Sequence, residues 1–420
     1  MKNHINSTRP GIHIDEFANT GDPYTRYATM REEFPVCQLE PKGIWAISRY
    51  KDIEFICKRP KIFSSSGMKA LLQPEWMPDD CKRTLSVLTL DPPEHTPLRR
   101  KIDSAVGHQR ILKALAQAMH NHAERLVDKI AHSKDTQTQK TCQQKECDFI
   151  AEFASPYIET FINRVIGLEN KKPPPKEMAD HPEMTNRNIS DIPSDQYIQD
   201  QITSIRKSKN YFGPLINDWH NSPENDLIST LALTVIDGEP LTNNEIRNAV
   251  ELVSLAGTQG PTMLLAHAMI RFSRQPELLH QLIENPKRIS SFIEELLRHI
   301  SPAPAVLRKT TAAITLSGVE IPEGATMLLL YASANRDPRM FDDPDTFDMS
   351  RSNIKQHLAF GYGPHFCAGA ALTRLEVRIA LEAIIAKFQH ISCPPDHEIN
   401  WNNSWMANTM RDLPIQFTIT

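Results

Sequence analysis

The segment Phe360-Gly361-Tyr362-Gly363-Pro364-His365-Phe366-Cys367-Ala368-Gly369-Ala370 holds three of the 15 glycines in this 420-residue chain. Globular proteins average about 7% glycine, roughly twice what is found here. A chain so sparing of glycine concentrates it where backbone must turn sharply or approach something closely. Cys367 stands just ahead of a stretch with helical periodicity. A thiol at a helix N-terminus gains from the macrodipole and from unpaired N–H groups, and both favour the thiolate.

Outward from this loop, the pattern is mainly helical. Residues 370–389 read as a helix turning Leu372, Leu375, Ile379, Leu381, Ile384, Ile385 and Phe388 inward. Upstream lies an irregular, Pro- and Asp-rich stretch from Asn335 to Arg351. Residues 313–331 alternate as short strands, with turns at Ser317-Gly318 and Pro322-Glu323-Gly324. Helices are predicted at 277–285 and 287–300. The capping box Thr242-Asn-Asn-Glu245 starts a long helix reaching about Arg271. Further helices are predicted at Gln109–Ala131 and Phe149–Leu168, and surface loops at 132–147 and 171–184. The expected class is mainly α with small β-sheets, as a single large domain over 1–420 with an N-terminal arm at 1–20.

Composition narrows the function. Lys and Arg total 47 against 51 Asp and Glu, a net charge of −4 that speaks against a general nucleic-acid binder. The seven cysteines are scattered, and the N-terminus MKNHINSTRP has no apolar core of a signal peptide. A reducing, cytoplasmic, disulfide-free and soluble protein is expected. The uncharged run Leu252–Ile270 is long enough to span a bilayer. Thr258, Gln259, Gly260, Pro261 and His267 in its middle favour a buried helix with a break instead. No membrane anchor is expected.

A thiolate in a glycine-bent loop suits an axial ligand to heme iron, where it donates electron density for O–O cleavage. The pattern F-G-x-G-x-H-x-C-x-G would arise by chance on the order of once per million such chains. The loop resembles the heme-binding signature of the cytochrome P450 family, the heme-thiolate monooxygenases, in their soluble bacterial form. Three further motifs share the resemblance. Glu295-Leu-Leu-Arg298 is similar to the family's ExxR pair. Asp91-Pro-Pro-Glu-His-Thr-Pro-Leu-Arg-Arg100 resembles the helix start whose His and Arg hold the heme propionates. Ala334-Asn-Arg-Asp-Pro338 with Phe341-Asp-Asp-Pro344 resembles the irregular meander.

The resemblance implies heme b with Cys367 as iron ligand and Phe360 packed beside the sulfur. It implies propionate donors at His95, Arg99, Arg308 and His365, with Gly361 and Gly369 shaping the loop. Glu295 and Arg298 would be a buried structural pair. The meander arginine often found in the family is replaced by Thr346, and Arg351 is a candidate to stand in for it. The substrate would lie over the heme against Leu88, Leu252, Ala303, Val306, Trp405 and Met406, an apolar set suited to an apolar or aromatic molecule. Electrons would come from a separate ferredoxin and NAD(P)H-dependent reductase, since no flavin motif is attached. Arg100, Lys101, Arg110, Lys113, Arg374 and Arg378 are candidates for a basic docking face.

One departure stands out. Ala256-Gly257-Thr258-Gln259-Gly260-Pro261-Thr262 resembles the family's oxygen-binding stretch, A-G-x-[D/E]-T, where an acid and an alcohol relay protons. Here Gln259 holds the acid position and Gly260 the alcohol position, and neither can play the usual part. Thr258 and Thr262 point elsewhere on the helix. Pro261, lacking an N–H, is expected to kink the helix and open a groove. The catalytic candidates are therefore Gln259, Gly260 and Thr262. The alternatives to hydroxylation are radical coupling of phenolic substrates, then peroxide-driven oxidation, then a non-catalytic heme sensor.

Overall fold

The computed structural model describes residues 12–13, 23–82, 86–106, 109–132, 144–169, 171, 194–221, 226–401, 407 and 409–419. Trp405, Met406 and most of the expected N-terminal arm lie outside these residues. The helices that matter are α1 (Tyr24–Glu33), α2 (Tyr50–Cys57), α3 (His95–Val106), α4 (Gln109–Ala131), α5 (Ser155–Ile166), α6 (Asp195–Asn221), α7 (Asn243–Arg274), α8 (Pro276–Glu284), α9 (Ile289–Ile300) and α10 (Ala370–Ile385). The strands are β1 (Val36–Leu39), β2 (Ile44–Ile47), β3 (Phe63–Ser64), β4 (Gln144–Asp148), β5 (Ala305–Thr310), β6 (Thr326–Leu330), β7 (Phe388–Ser392) and β8 (Pro414–Ile419).

Helix α7 organises the main core. Thr242 caps it: its hydroxyl accepts from the Glu245 amide, and the Glu245 carboxylate accepts from the Thr242 amide at 2.8 Å. Its 32 residues span about 48 Å. Apolar faces of α3 to α10 collapse onto it in one continuous cluster. Gly257 permits the closest approach, since a Cβ there would sit 2.5 Å from Cδ1 of Ile162 on α5. The break expected at Pro261 does not occur, and α7 runs through it without interruption. Residues 261–269 are buried, so packing holds the helix across the one hydrogen bond that proline cannot donate.

The larger sheet has the order β1-β2-β6-β5-β3. β6 pairs parallel with β2, placing Met327 beside Trp45, and antiparallel with β5, placing Met327 beside Arg308. Alternate residues of β6 leave on opposite faces: Leu328 and Leu330 join one apolar cluster, Met327 and Leu329 another. Burial on both faces explains why Met327-Leu-Leu-Leu330 reads as an unbroken apolar run.

Two further sequence expectations need correction. The loop expected over 132–147 contains the start of β4, which pairs with β8 along its length. β4 is an edge strand whose Glu146 faces solvent while Cys147 turns inward, so its polarity masked it. The last helix ends at Ile385, and Phe388 opens β7, where its ring stacks on Phe417 at 4.1 Å.

Candidate functional site

The cysteine loop is built by its glycines and held by α2 and α3. Gly363 has φ +73°, and a Cβ there would lie 2.4 Å from the backbone oxygen of Cys57, so only glycine fits. A 3-10 turn over Gly363–His365 returns the chain, and the Cys367 amide donates to the Phe360 carbonyl at 2.8 Å. Arg99 on α3 spans the turn, donating to the carbonyls of Pro364 (3.2 Å) and Phe366 while pairing with Asp103 (2.7 Å). Cys37, Cys57, Cys81 and Cys147 are buried, whereas Cys367 is accessible although protein rings it. Burial pushes its thiol up, and the Gly369 amide, Arg99 and Arg374 only partly offset this. The pull toward the thiolate expected at the helix terminus is present in the Gly369 amide, and burial works against it. A bound metal would complete its deprotonation.

Basic groups gather around the loop. The rings of His95 and His365 lie 4.3 Å apart, and Ser65 shares a hydrogen bond with His365 Nε2 at 2.8 Å. Burial, then Arg308, His95 and Arg99, push His365 down to about 3. Asp91 offsets only part of this charge: its carboxylate, held by the Ser64 hydroxyl (2.5 Å) and the Ser65 amide (2.8 Å), works against the lowering of His95 by burial and Arg99. His95 is 2% exposed and its Nε2 has no partner. An orphaned buried nitrogen beside two arginines and a second histidine is one unpaired polar atom in a basic cluster that an anion would complete. A group bearing two carboxylates beside an iron that takes one sulfur satisfies it, and the residues present fit heme b. Among the described residues, no three His, Cys, Asp or Glu side chains are placed to hold a metal ion.

The middle of α7 is locally open. Residues on both sides are buried, yet Val253 to Gly260 are partly accessible and Ala256 is exposed. A Cβ on Gly260 would meet nothing within 4 Å. Thr258 spends its hydroxyl on the carbonyls of Ser254 (2.9 Å) and Leu255 (3.2 Å), and Thr262 is buried. Leu252 is buried, Ala303 is exposed, and Leu88 and Val306 are partly buried against the clusters flanking the larger sheet.

Behind the loop, Arg298 is fully buried and grips Glu295 by two bonds (2.7 and 2.6 Å) while donating to the carbonyls of Asn335, Pro344 and Thr346. Arg351 reaches Glu295 at 3.2 Å and the carbonyls of Asp342, Asp343 and Thr346. Arg351 thus joins Arg298 on the Glu295 carboxylate and on the Thr346 carbonyl.

A family model described as "Cytochrome P450" matches residues 12–419. The chain belongs to the cytochrome P450 family. Cytochrome P450 107B1 of Saccharopolyspora erythraea is 30% identical over 96% of each chain. Erythromycin C-12 hydroxylase of the same organism is 31% identical over 92% of each. The solved structure of cytochrome P450 CYP109Q5 from Chondromyces apiculatus superposes with a TM-score of 0.82 at 28% identity, covering 97% of this chain and 98% of that one. P450s are heme-thiolate monooxygenases, so heme b is the cofactor and oxidation the activity. Among the described residues, no helix of this P450 is long and apolar enough to cross a membrane.

Sequence reading missed Ser65, whose only signal is an unremarkable Ser64-Ser65-Ser66 run, and the buried acid Glu294 beside the more familiar Glu295. Arg374, one of the candidates for the basic docking face, is tied to Glu294 at 2.6 Å while 36% of its side chain stays exposed.

Proposed function

We propose that Cys367 is the axial sulfur ligand of heme b and that His95, Arg99, Arg308 and His365 hold its propionates. The enzyme oxidises a small apolar or aromatic molecule with O2 and electrons from a separate ferredoxin and NAD(P)H-dependent reductase. The observation that carries this reading is the orphaned, buried His95 nitrogen within a basic cluster that rims an accessible cysteine. When bound, thiolate-ligated heme supplies the activation of dioxygen. The chain's part is to bind the propionates, shield the sulfur with Phe360 and shape the substrate space with Leu88, Leu252, Ala303 and Val306. Relatives that include an erythromycin hydroxylase support a role in natural-product tailoring. An open groove of about 450 Å³ between α4, α9 and α10, with Lys113 and Arg378 at its rim, supports docking of an acidic electron donor.

The test is spectroscopic. The purified, reduced protein should give a strongly red-shifted Soret band with CO, and Cys367→Ser should lose it. A red protein whose band survives Cys367→Ser would refute the assignment. A spectral-shift screen with phenols, steroids and fatty acids identifies the substrate class.

A second reading rests on Gln259 and Gly260. With neither an acid at position 259 nor an alcohol at position 260 of α7, the proton route passes to ordered water or to a hydroxyl of the substrate in the space beside Gly260. Substrates that react by hydrogen abstraction and radical coupling of phenols need no oxygen insertion. Oxygen-18 from O2 absent from the product would favour coupling, and its incorporation would favour hydroxylation. Turnover with peroxide alone, without ferredoxin, would point to peroxide use. No reductant consumption with any substrate would point to a heme sensor.

A further inference from the structure

The loop that carries Cys367 is braced from behind by three side chains that the expected heme contacts do not include. Glu294 on α9 is buried, and its carboxylate accepts from Arg374 Nε at 2.6 Å and Nη2 at 2.9 Å. This two-point contact fixes the guanidinium plane. The same carboxylate lies 3.3 Å from Nε2 of buried His357. The Ala359 amide donates to His357 Nδ1 at 3.2 Å, so Nδ1 is bare and Nε2 carries the proton donated to Glu294. Both partners of Glu294 then meet at one place. The Arg374 guanidinium carbon lies 4.6 Å from the centre of the Phe360 ring, and the His357 ring centre 5.9 Å from it. Phe360 in turn supplies the carbonyl that takes the Cys367 amide.

We infer that Glu294, Arg374 and His357 are positioning residues that hold the Phe360 ring and its carbonyl against Cys367, and thereby keep the sulfur on the metal as a thiolate. The inference rests on the proposed ligation of heme by Cys367. It follows from how the contacts converge. Arg374 enters from α10, Glu294 from α9 and His357 from the loop, and the two basic groups both lie against the Phe360 ring. Outer-shell hydrogen bonds of this kind fix the orientation of the groups they support. Glu294 is held at about 2: burial would raise it, but the bonds from Arg374 and His357 prevail, so the brace stays ionised at neutral pH.

The experiment uses the heme-loaded full chain and follows the reduced CO complex as its thiolate-type Soret band decays to the form with a lost or protonated sulfur. Glu294→Gln and Arg374→Lys should each speed that decay about tenfold. Arg374→Lys keeps the charge but loses the fork and the flat stacking face. Because the action runs through Phe360, Arg374→Lys placed in a Phe360→Leu background should add almost nothing further. Should a variant fail to accumulate as holoprotein, His357→Gln interrupts the same brace from the loop side. Decay rates equal to wild type in folded single variants would overturn the inference. So would full additivity of Arg374→Lys and Phe360→Leu, which would mean independent effects on stability. Absence of the thiolate band in the wild-type protein is a different result, because it overturns Cys367 ligation itself.

Discussion

Single atoms decide tolerance in the cysteine loop. Gly363→Ala places a methyl 2.4 Å from a backbone oxygen at φ +73°, and neither can move cheaply. Gly369→Ala meets only Cys367 Sγ, at an ordinary 3.8 Å. Gly363→Ala should therefore yield protein that loses heme on gel filtration, while Gly369→Ala retains it. Equal heme content in both would count against the close-approach argument. On the far side, Gly260→Thr has open space for its side chain. It should fold with an unchanged melting temperature and alter the ratio of product formed to reductant consumed. An unchanged ratio would remove Gly260 from the proton route. The cysteine, its flanking glycines and the Glu295–Arg298 pair were legible in the sequence because each is a motif of fixed spacing. Ser65, Glu294 and His357 were not, because their partners lie 300, 80 and 63 positions away and no local pattern announces them.

At the scale of elements, periodicity was a good guide where one face is buried and a poor one elsewhere. Helix α4 follows its apolar spacing from Gln109 to Ala131, and the capping box sets the start of α7. Thr242→Ala should cost about 1 kcal/mol, read as a lower urea midpoint with an unchanged denaturant slope. No change in midpoint would show that tertiary packing alone fixes that helix start. The polar edge strand β4 escaped notice because its register is set by β8, whose first paired residue, Pro414, is 266 positions from Asp148. The uninterrupted passage of α7 through Pro261 was likewise hidden, since proline signals a break locally and only the surrounding helices override it.

Across the whole molecule, ionisation behind the loop ties stability to pH. Glu294 sits below its ordinary 4.5, at about 2, so its contribution is complete above about pH 4.5 and is lost as pH falls toward 2. The stability gap between wild type and Glu294→Gln should be constant from pH 7 to 5 and narrow progressively below that, as read from urea midpoints. A gap that stays flat down to pH 3 would mean the carboxylate is not held ionised by Arg374 and His357. Fold class was legible at this scale from the alternation of long helices with a late run of short strands. The sheet order was not, because β2 and β6 pair across most of the chain and nothing near either strand names its partner.

That pairing has a consequence for how the protein is made. Strands β1 and β2 leave the ribosome early, and β6 follows only after most of the chain, a delay on the order of tens of seconds. The cysteine loop emerges later still. Heme capture is thus reserved for a chain that is nearly complete, and the apolar β2 needs protection from aggregation until its partner arrives.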